Sequence, residues 1–442
     1  MKARKHFALG FIPALLLAAL PAAAQQTYAI QGAKIYTLAG PPIENGTVVI
    51  RDGKIVAVGA DVSVPSGAEV IDASGLQVYP GLFDPLSRLG LTEVGAVRAT
   101  VDTSELGRYN PHLKAATAVH PASEHIPVTR ANGITHAVSA PGSAGGGFSG
   151  RFSAGSGGIS GQAAVIHLAG WTIEEMAIET SVAMILSWPG IQTRSFDFST
   201  FGFKTKPFTE AKKEYDKRVV ELEDWMEAAR HYAQAAEKGA AGKVERDLKL
   251  EALVPVVQGK LLVIVMASSK RAIEDAVAFA GKHNLKIIIA GGTDAWKVKD
   301  LLKEKNIPVI LARTQRLPSQ EDQPYDRPFS LPGELHAAGI KIAFATFDAA
   351  HARTLPYEAA NAVPHGLPWE EALKAVTLYP AQMLGVDDRL GTIEVGKLAN
   401  LIVTDGDPLE IQTRVRHLFI NGQPTSTDNK HRRLYEKYLA RP

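Results

Sequence analysis

The sequence contains no cysteine. This absence excludes disulfide bonds, thiolate metal ligands and lipid-modified cysteine. A chain of 442 residues does not need disulfides, because it is long enough to be stabilised by its own apolar core. An excess of one charge is also lacking, because 48 Lys and Arg stand against 46 Asp and Glu. The resulting net charge of +2 argues against nucleic acid or acidic membrane surfaces as main partners, since those need a concentrated basic face.

Long apolar runs are scarce, and only residues 7–20 form one of note. Lys2, Arg4 and Lys5 precede this run, and small residues follow it up to Ala24. Positive, then apolar, then small residues predict a signal peptide over residues 1–24. The alternative is an uncleaved membrane anchor, but about 14 apolar residues fall short of the roughly 20 that span a bilayer. We therefore expect a mature protein without a membrane span that is secreted across the inner membrane, to the periplasm.

The two ends of the mature chain share a sequence pattern: short runs of β-branched residues that are separated by tight turns with glycine. Asp52-Gly53 lies between two such runs in residues 28–78, and Asn421-Gly422 closes a similar segment in residues 396–425. Paired residues of this type are typical of two-residue hairpins. The pattern predicts one small β-sandwich domain built from both ends, followed by a C-terminal tail at 426–442.

The middle of the chain, residues 79–395, contains eight apolar runs rich in β-forming residues. They lie at 77–83, 133–139, 162–168, 182–188, 261–266, 285–290, 307–312 and 340–347. Continuous hydrophobicity is typical of strands that are buried on both faces of a parallel sheet, and helical patterns separate several of the runs. The pattern predicts an α/β fold with a (β/α)₈ TIM barrel, with a doubly wound open sheet as the alternative.

Two segments interrupt the barrel pattern. Residues 208–240 are charged and helical, with apolar positions such as Leu222 and Met226 on one face. They form either a lid or partner surface over the barrel mouth or a helix docked on the barrel. The Gly/Ser-rich stretch 139–161 lacks the following Lys-Ser/Thr of a phosphate loop, so we predict a flexible loop at the mouth.

Two segments carry a resemblance to a known family. "VYPGLFDPLSRLGL" (78–91) resembles a motif in which Pro-Gly-Leu-Ile-Asp precedes a His-x-His pair. "GLPWEEALKAVTLYPAQMLGVDDRLGTIEVGKLANLIVTDGDPL" (366–409) resembles the closing helices and return strand of the same family, with Asn400 where Asp is usual. Both are similar to the amidohydrolase superfamily, in its imidazolonepropionase-like branch. The resemblance implies a TIM barrel and the hydrolysis of carbon–nitrogen bonds other than peptide bonds.

The resemblance also implies a divalent metal, often zinc, at the barrel mouth. Its ligands would be the His pair after strand one, His on strands five and six, Asp on strand eight and often Lys on strand four. The corresponding positions hold Leu86 and Arg88, Met266, Ala290, Asp348 and Ile185. Leu, Ile and Ala offer no lone pair, and a guanidinium repels a cation. Only Asp348 is kept, so we predict a degenerate metal site and no metal cofactor.

Other polar residues allow alternatives. His120, His125, Arg130 and His136 form a replacement metal site or, as we favour, lie on the surface or cap helices. His351 and Arg353 follow Asp348, so they face the mouth and bind a ligand anion or belong to a solvated loop.

Three functions follow from these residues. The favoured one is a pseudoenzyme that serves as a partner subunit, for a metal-bearing amidohydrolase paralogue or by self-association. The second is a metal-independent hydrolase in which Asp348 is the catalytic base and Arg88 stabilises negative charge. The third is a periplasmic small-molecule binder in which Arg88 and His351 contact the ligand. In each case we expect Arg88 to occupy the emptied site and to pair with Asp348, directly or through one water.

Overall fold

A computed structural model of the protein describes residues 26–142, 156–197, 201–237 and 245–441. The predicted signal peptide lies outside these residues. The described strands are β1 (Thr27–Ile35), β2 (Ile43–Arg51), β3 (Lys54–Gly59), β4 (Glu69–Asp72), β5 (Gln77–Pro80), β6 (Leu82–Ser87), β7 (Ile134–Ser139), β8 (Ser156–His167), β9 (Ala177–Pro189), β10 (Arg194–Asp197), β11 (Gly202–Thr205), β12 (Leu262–Ala267), β13 (Ile287–Gly291), β14 (Val309–Leu311), β15 (Ile342–Phe344), β16 (Leu401–Thr404), β17 (Val415–Ile420) and β18 (Gln423–Pro424).

The described helices are α1 (His125–Arg130), α2 (Ile173–Met176), α3 (Phe208–Glu237), α4 (Leu248–Val257), α5 (Lys270–His283), α6 (Lys299–Glu304), α7 (Arg327–Ala337), α8 (Leu355–Ala360), α9 (Trp369–Lys374), α10 (Leu378–Leu384) and α11 (Lys430–Leu439). In the described part of the chain, every helix is too short or too polar to cross a bilayer.

One eight-stranded sheet joins strands from both ends of the described chain. Its order is β18-β17-β16-β5-β1-β2-β3, with β4 paired to β1. The joint between the two ends is the antiparallel pair of β16 and β5, in which Leu401 lies opposite Pro80. Asp52 and Gly53 both have positive φ in the β2–β3 turn, as the hairpin prediction requires. The division of this sheet into the two layers of a sandwich stays a prediction.

A second eight-stranded sheet forms a nearly closed barrel, in the order β15-β14-β13-β12-β9-β8-β7-β6. Its first and last strands approach each other where the Phe347 amide donates to the Leu86 carbonyl oxygen at 2.9 Å. The core lies partly inside this barrel and partly between the barrel and its helices. The barrel prediction is therefore supported over the open sheet.

The predicted all-parallel arrangement is wrong at the third barrel strand. β8 runs antiparallel to both β7 and β9, whereas the remaining pairs in the barrel order are parallel. A parallel crossover needs about a dozen residues or more, usually with a helix. Between β8 and β9 the chain forms only a short turn and the four-residue α2, so the strand must return antiparallel.

Two predicted boundaries are corrected. The first strand candidate, 77–83, is divided between β5 in the end sheet and β6 in the barrel, with Gly81 at the changeover. A Cβ on Gly81 would lie 2.0 Å from Thr135 Oγ1, so only glycine fits there. The predicted loop over the glycine-rich stretch 139–161 is wrong at residues 156–161, which belong to β8. Residues 143–155 lie outside the described part.

The charged insertion forms α3, which docks on the outside of the barrel. Leu222, Met226 and Ala229 are buried in the core shared by barrel and helices. Tyr215 donates a hydrogen bond to Asp275 on the neighbouring helix α5, and Lys282 of α5 pairs with Glu223 at 2.7 Å. The docked-helix alternative is thus confirmed, and the described part of α3 is not a lid.

Candidate functional site

We define the barrel mouth as the end at which the parallel strands finish. Arg88 follows β6 there, Arg313 follows β14, and Asp348 follows β15. The four apolar residues at expected ligand positions lie inside the barrel in one hydrophobic cluster. Leu86, Ile185 and Ala290 are fully buried, and Met266 is 4% exposed. Ligand positions thus hold side chains that extend the apolar core.

These residues do not fit a metal centre. Leu, Ile and Ala carry no lone pairs in their side chains, and the thioether of Met266 is a soft ligand that suits other metals than zinc. No group of three or more His, Asp or Glu side chains in the described ranges converges in a way that could hold a metal ion. We therefore derive no chemistry through a bound metal.

Asp348, at the kept ligand position, is held within its own loop. Its Oδ2 accepts from His351 Nδ1 at 2.8 Å, and its Oδ1 accepts from the Ala350 amide at 2.9 Å. Burial alone would raise the pKa of Asp348, but these hydrogen bonds and the charges of His351 and Arg313 lower it below the usual value. Asp348 is therefore an ionised carboxylate at neutral pH that keeps His351 oriented.

Arg88 is buried at the same end of the barrel, with 3% of its surface exposed. Its Nη2 donates to the Gly142 carbonyl oxygen at 3.5 Å, and its backbone amide donates to the Asp348 carbonyl oxygen at 3.4 Å. Burial lowers the pKa of Arg88 to about 10, against the opposing charge of Asp348. Arg88 is thus a fixed cation at neutral pH.

The predicted direct pair between Arg88 and Asp348 is wrong. The described contacts of the Asp348 carboxylate come from His351 and Ala350 instead. His351 is only three residues away in the same loop, so it reaches the carboxylate without crossing the barrel. The two charges remain close enough for Asp348 to act on the pKa of Arg88. The assignments of Arg88 and His351 to ligand contact, and of Asp348 to catalysis, stay predictions.

Sequence reasoning missed Asp84, a fully buried carboxyl in β6. It accepts from the Leu86 amide at 3.2 Å, from the Thr346 amide at 3.3 Å and from the Thr346 hydroxyl. Burial raises the pKa of Asp84 to about 7, although these hydrogen bonds oppose the shift. The motif at 80–84 pointed to this residue, but the sequence alone does not show how deeply it is buried.

Two buried histidines lie opposite each other on β7 and β8. His136 accepts or donates a hydrogen bond with Thr135 Oγ1 at 2.7 Å, and Asn400 Nδ2 donates to His167 Nδ1 at 3.4 Å. Burial lowers the pKa of His136 well below its usual value and lowers that of His167 to about 4. Both rings are neutral at pH 7, and sequence reasoning missed His167.

The other residues of the possible replacement metal site are separated from His136. His125 begins α1 and bonds the Glu93 carbonyl oxygen at 2.8 Å, while Arg130 donates to the carbonyl oxygens of Leu168 and Ser426. His120 is exposed. The surface and helix-end alternative for His120 and His125 is therefore the better one.

Comparisons with known proteins agree with this architecture. Residues 222–428 match the amidohydrolase family model. Amidohydrolase tasK of Hapsidospora irregularis is 25% identical over 406 residues, which are 86% of this chain and 39% of that protein. Imidazolonepropionase of Geobacillus sp. (strain WCH70) is 48% identical over 50 residues, or 10% of this chain and 12% of that protein. The chain spans less than half the length of these curated relatives.

Among solved structures, an amidohydrolase from Thermotoga maritima is similar with a TM-score of 0.74. The two chains are 24% identical, and the match covers 90% of this chain and 99% of that one. This likeness shows the fold. The chain is thus similar in fold to a solved amidohydrolase, and residues 222–428 are similar to the amidohydrolase family.

Proposed function

We propose that this protein is a non-catalytic amidohydrolase, a pseudoenzyme that acts as a partner subunit. The main support for the proposal is that apolar side chains occupy the expected metal-ligand positions inside the barrel. Four such residues belong to one buried hydrophobic cluster: Leu86, Ile185, Met266 and Ala290. A metal-activated water needs convergent lone pairs on nitrogen or oxygen. The substitutions remove these donors from four strands, β6, β9, β12 and β13, while the surrounding fold is intact.

Exposed apolar side chains in the mouth loops support the partner role. Leu106 lies in the long loop after β6, and Leu317 and Tyr325 lie in the loop after β14. They are 95%, 86% and 84% exposed, respectively. Exposed large apolar residues that recur on one end of a molecule are typical of a protein–protein contact surface.

Two finer assignments belong to the proposal. The imidazolonepropionase-like branch is supported by the motif around Asp84 and by the 50-residue match to an imidazolonepropionase. Export to the periplasm is supported by the order of charged, apolar and small residues over 1–24.

The first experiment measures metal and activity together. Purified protein should contain far less than one zinc, manganese or iron per chain, and zinc added in excess should be removed by a desalting column. Dihydropyrimidine, imidazolone propionate and dipeptide substrates should not be hydrolysed above background. One tightly bound metal per chain, with hydrolysis that a chelator abolishes, would overturn the proposal.

The second experiment tests the mouth as the contact surface. The wild type should form a stable complex with itself or with a metal-bearing amidohydrolase of the same cell, measured by light scattering after size exclusion. A Leu106→Ser, Leu317→Ser and Tyr325→Ser variant should lose the complex. Ile411→Ser is the matched control, because Ile411 is 74% exposed but follows the end-sheet strand β16. A complex that survives the triple change excludes this surface.

A metal-independent hydrolase is the second candidate, and the Asp348–His351 contact favours it. An imidazole oriented by a carboxylate at 2.8 Å, with half of its side chain exposed, is a suitable general base. If the substrate panel is hydrolysed in chelator, Asp348→Asn and His351→Gln should each abolish the activity. Activity that both variants retain would exclude this candidate.

A further inference from the structure

Three neighbouring loops bring positive charge to the barrel mouth. Arg88 follows β6, Arg313 follows β14, and His351 and Arg353 follow β15. β14 and β15 are hydrogen-bonded neighbours, and the chain just past β15 bonds to β6 through Phe347 and Leu86. The charge of Asp348 acts on Arg88, and the charges of Arg313 and His351 act on Asp348. Arg88, Arg313 and His351 therefore lie near one carboxylate, that of Asp348.

Arg313 is held in place by the chain that follows it. The buried carboxylate of Glu358 accepts from the Thr314 amide at 2.7 Å, from the Thr314 hydroxyl at 2.9 Å and from the Gln315 amide at 3.1 Å. Glu358 is 1% exposed, so this anchor lies inside the protein. The loop that carries Arg313 is thereby fixed relative to α8, which begins a few residues after Asp348.

The guanidinium of Arg313 is half-buried and makes no hydrogen bond or ion pair with the described part of the chain. A planar guanidinium presents two parallel N–H donors that match a carboxylate. His351 uses Nδ1 for Asp348, which leaves Nε2 for another partner, and 51% of its side chain is exposed. Both groups lie on adjacent loops of one end.

We propose that the barrel mouth binds a small carboxylate anion, held by Arg313 and His351 in front of Asp348. Arg88 supplies a buried positive charge behind the site and so offsets the repulsion between the ligand and Asp348. A single bidentate guanidinium and a neighbouring carboxylate favour a ligand of one negative charge over a dianion. Binding of an anion is a property beyond the proposed partner role. It rests on the proposed function in one respect: the mouth must be free of metal, because a metal ion at Asp348 would change the local charge.

The test compares two probes that differ in charge. Dissociation constants of N-acetylglycine and of the uncharged N-acetylglycinamide are measured by ligand-observed NMR titration at constant ionic strength, with full-length protein in chelator. A charge-assisted hydrogen bond contributes about 1.5–3 kcal/mol, so the carboxylate should bind about tenfold or more tightly than the amide. Arg313→Gln should remove this difference, and Arg51→Gln, an exposed arginine of the end sheet, should retain it.

Equal binding of the two probes, no binding of either, or a preference that survives Arg313→Gln would overturn the carboxylate site. Repeating the titration with zinc in place of chelator separates this result from the proposed function. Carboxylate binding that requires zinc would contradict the metal-free mouth, whereas binding in chelator that zinc leaves unchanged supports both.

Discussion

Asp84 in β6 and Thr346, just past β15, are joined through two hydrogen bonds although 262 residues separate them in sequence. The contact links the first and last barrel strands, where the sheet is nearly closed. Because Asp84 is fully buried, its proton state is coupled to the stability of this closure.

Asp84→Asn should therefore stabilise the protein at alkaline pH. Burial raises the pKa of Asp84 from 3.8 to about 7, so the folded state holds a proton that the unfolded state has released between these values. The contribution of Asp84 to stability is complete below about pH 4 and is lost as the pH rises through 7. At pH 8 the variant should be more stable by up to about 4 kcal/mol, and the difference should vanish near pH 4.

Urea unfolding at several pH values measures this effect. The control is Asp61→Asn, because Asp61 is exposed just after the end-sheet strand β3 and the same change of carboxyl to amide there involves no burial. A difference between wild type and Asp84→Asn that does not vary with pH would show that the buried carboxyl is ionised throughout.

His167 should make the opposite contribution. Burial lowers the pKa of His167 from 6.5 to about 4, so between these values the unfolded state binds a proton that the folded state does not. Stability from the neutral ring is present above pH 6.5 and is lost as the pH falls through 4. His167→Gln should be destabilised at pH 8 through lost packing but should lose less on acidification, by on the order of 3 kcal/mol at pH 4.

The same urea series decides this prediction, with the exposed His417→Gln as control. His167→Gln and wild type losing equal stability between pH 7 and pH 4 would contradict it. Because Asp84 and His167 titrate in overlapping windows with opposite signs, the wild-type profile alone conceals both effects, and the variants are needed.

The barrel strands were predictable because burial on both faces leaves a plain apolar run, as in β12 and β13. An apolar run does not reveal whether a strand is parallel or antiparallel to its neighbours, so the antiparallel direction of β8 is not predictable from the run 162–168. The sequence predicts a loop at the start of β8 because serine and glycine, here Ser156, Gly157 and Gly158, have low strand propensity. Their conformation is imposed by the backbone that lies against them.

At the site, the substitutions at Leu86, Met266 and Ala290 were predictable because a strand fixes where each side chain points. The hydrogen-bond partners of Arg88 and Asp348 are not predictable from the sequence. A long side chain has several rotamers, and which rotamer it adopts depends on neighbours such as Gly142 and His351. Arg313 escaped notice because the sequence does not show that Glu358, 44 residues later, holds the adjoining Thr314.

Glu358→Ala should destabilise the fold and disturb the mouth. The change leaves the amides of Thr314 and Gln315 without the buried acceptor that they share, at a cost of roughly 2–4 kcal/mol. Glu358→Gln keeps one carbonyl oxygen for these donors and should cost much less. Thermal and urea unfolding measure both variants, and equal losses would show that the carboxylate is not the anchor of the loop.

Gly158 shows why β8 needs glycine. Its φ is +149°, and a Cβ built there would lie 2.3 Å from the Arg108 carbonyl oxygen. The same carbonyl accepts from the Ile159 amide at 2.9 Å, and the Asn110 amide donates to the Ile159 carbonyl oxygen at 2.7 Å. The long loop after β6 is thus docked backbone to backbone on β8, at a distance that only a residue without Cβ permits.

Gly158→Ala should therefore destabilise the protein by about 3 kcal/mol or more, because the added methyl meets backbone that cannot rotate away. Gly67→Ala is the matched control: Gly67 has φ of +80°, but nothing lies within 4 Å of the point that a Cβ would occupy there. It bears only the conformational cost of about 1–2 kcal/mol. The excess loss in Gly158→Ala, measured by urea unfolding, is the cost of separating the loop from β8.

That separation should also expose the backbone amides of Ile159 and Asn110 to faster hydrogen exchange, while Gly67→Ala leaves their exchange unchanged. Equal destabilisation by the two variants, with no change in exchange at Ile159, would mean that the loop is not held by this contact.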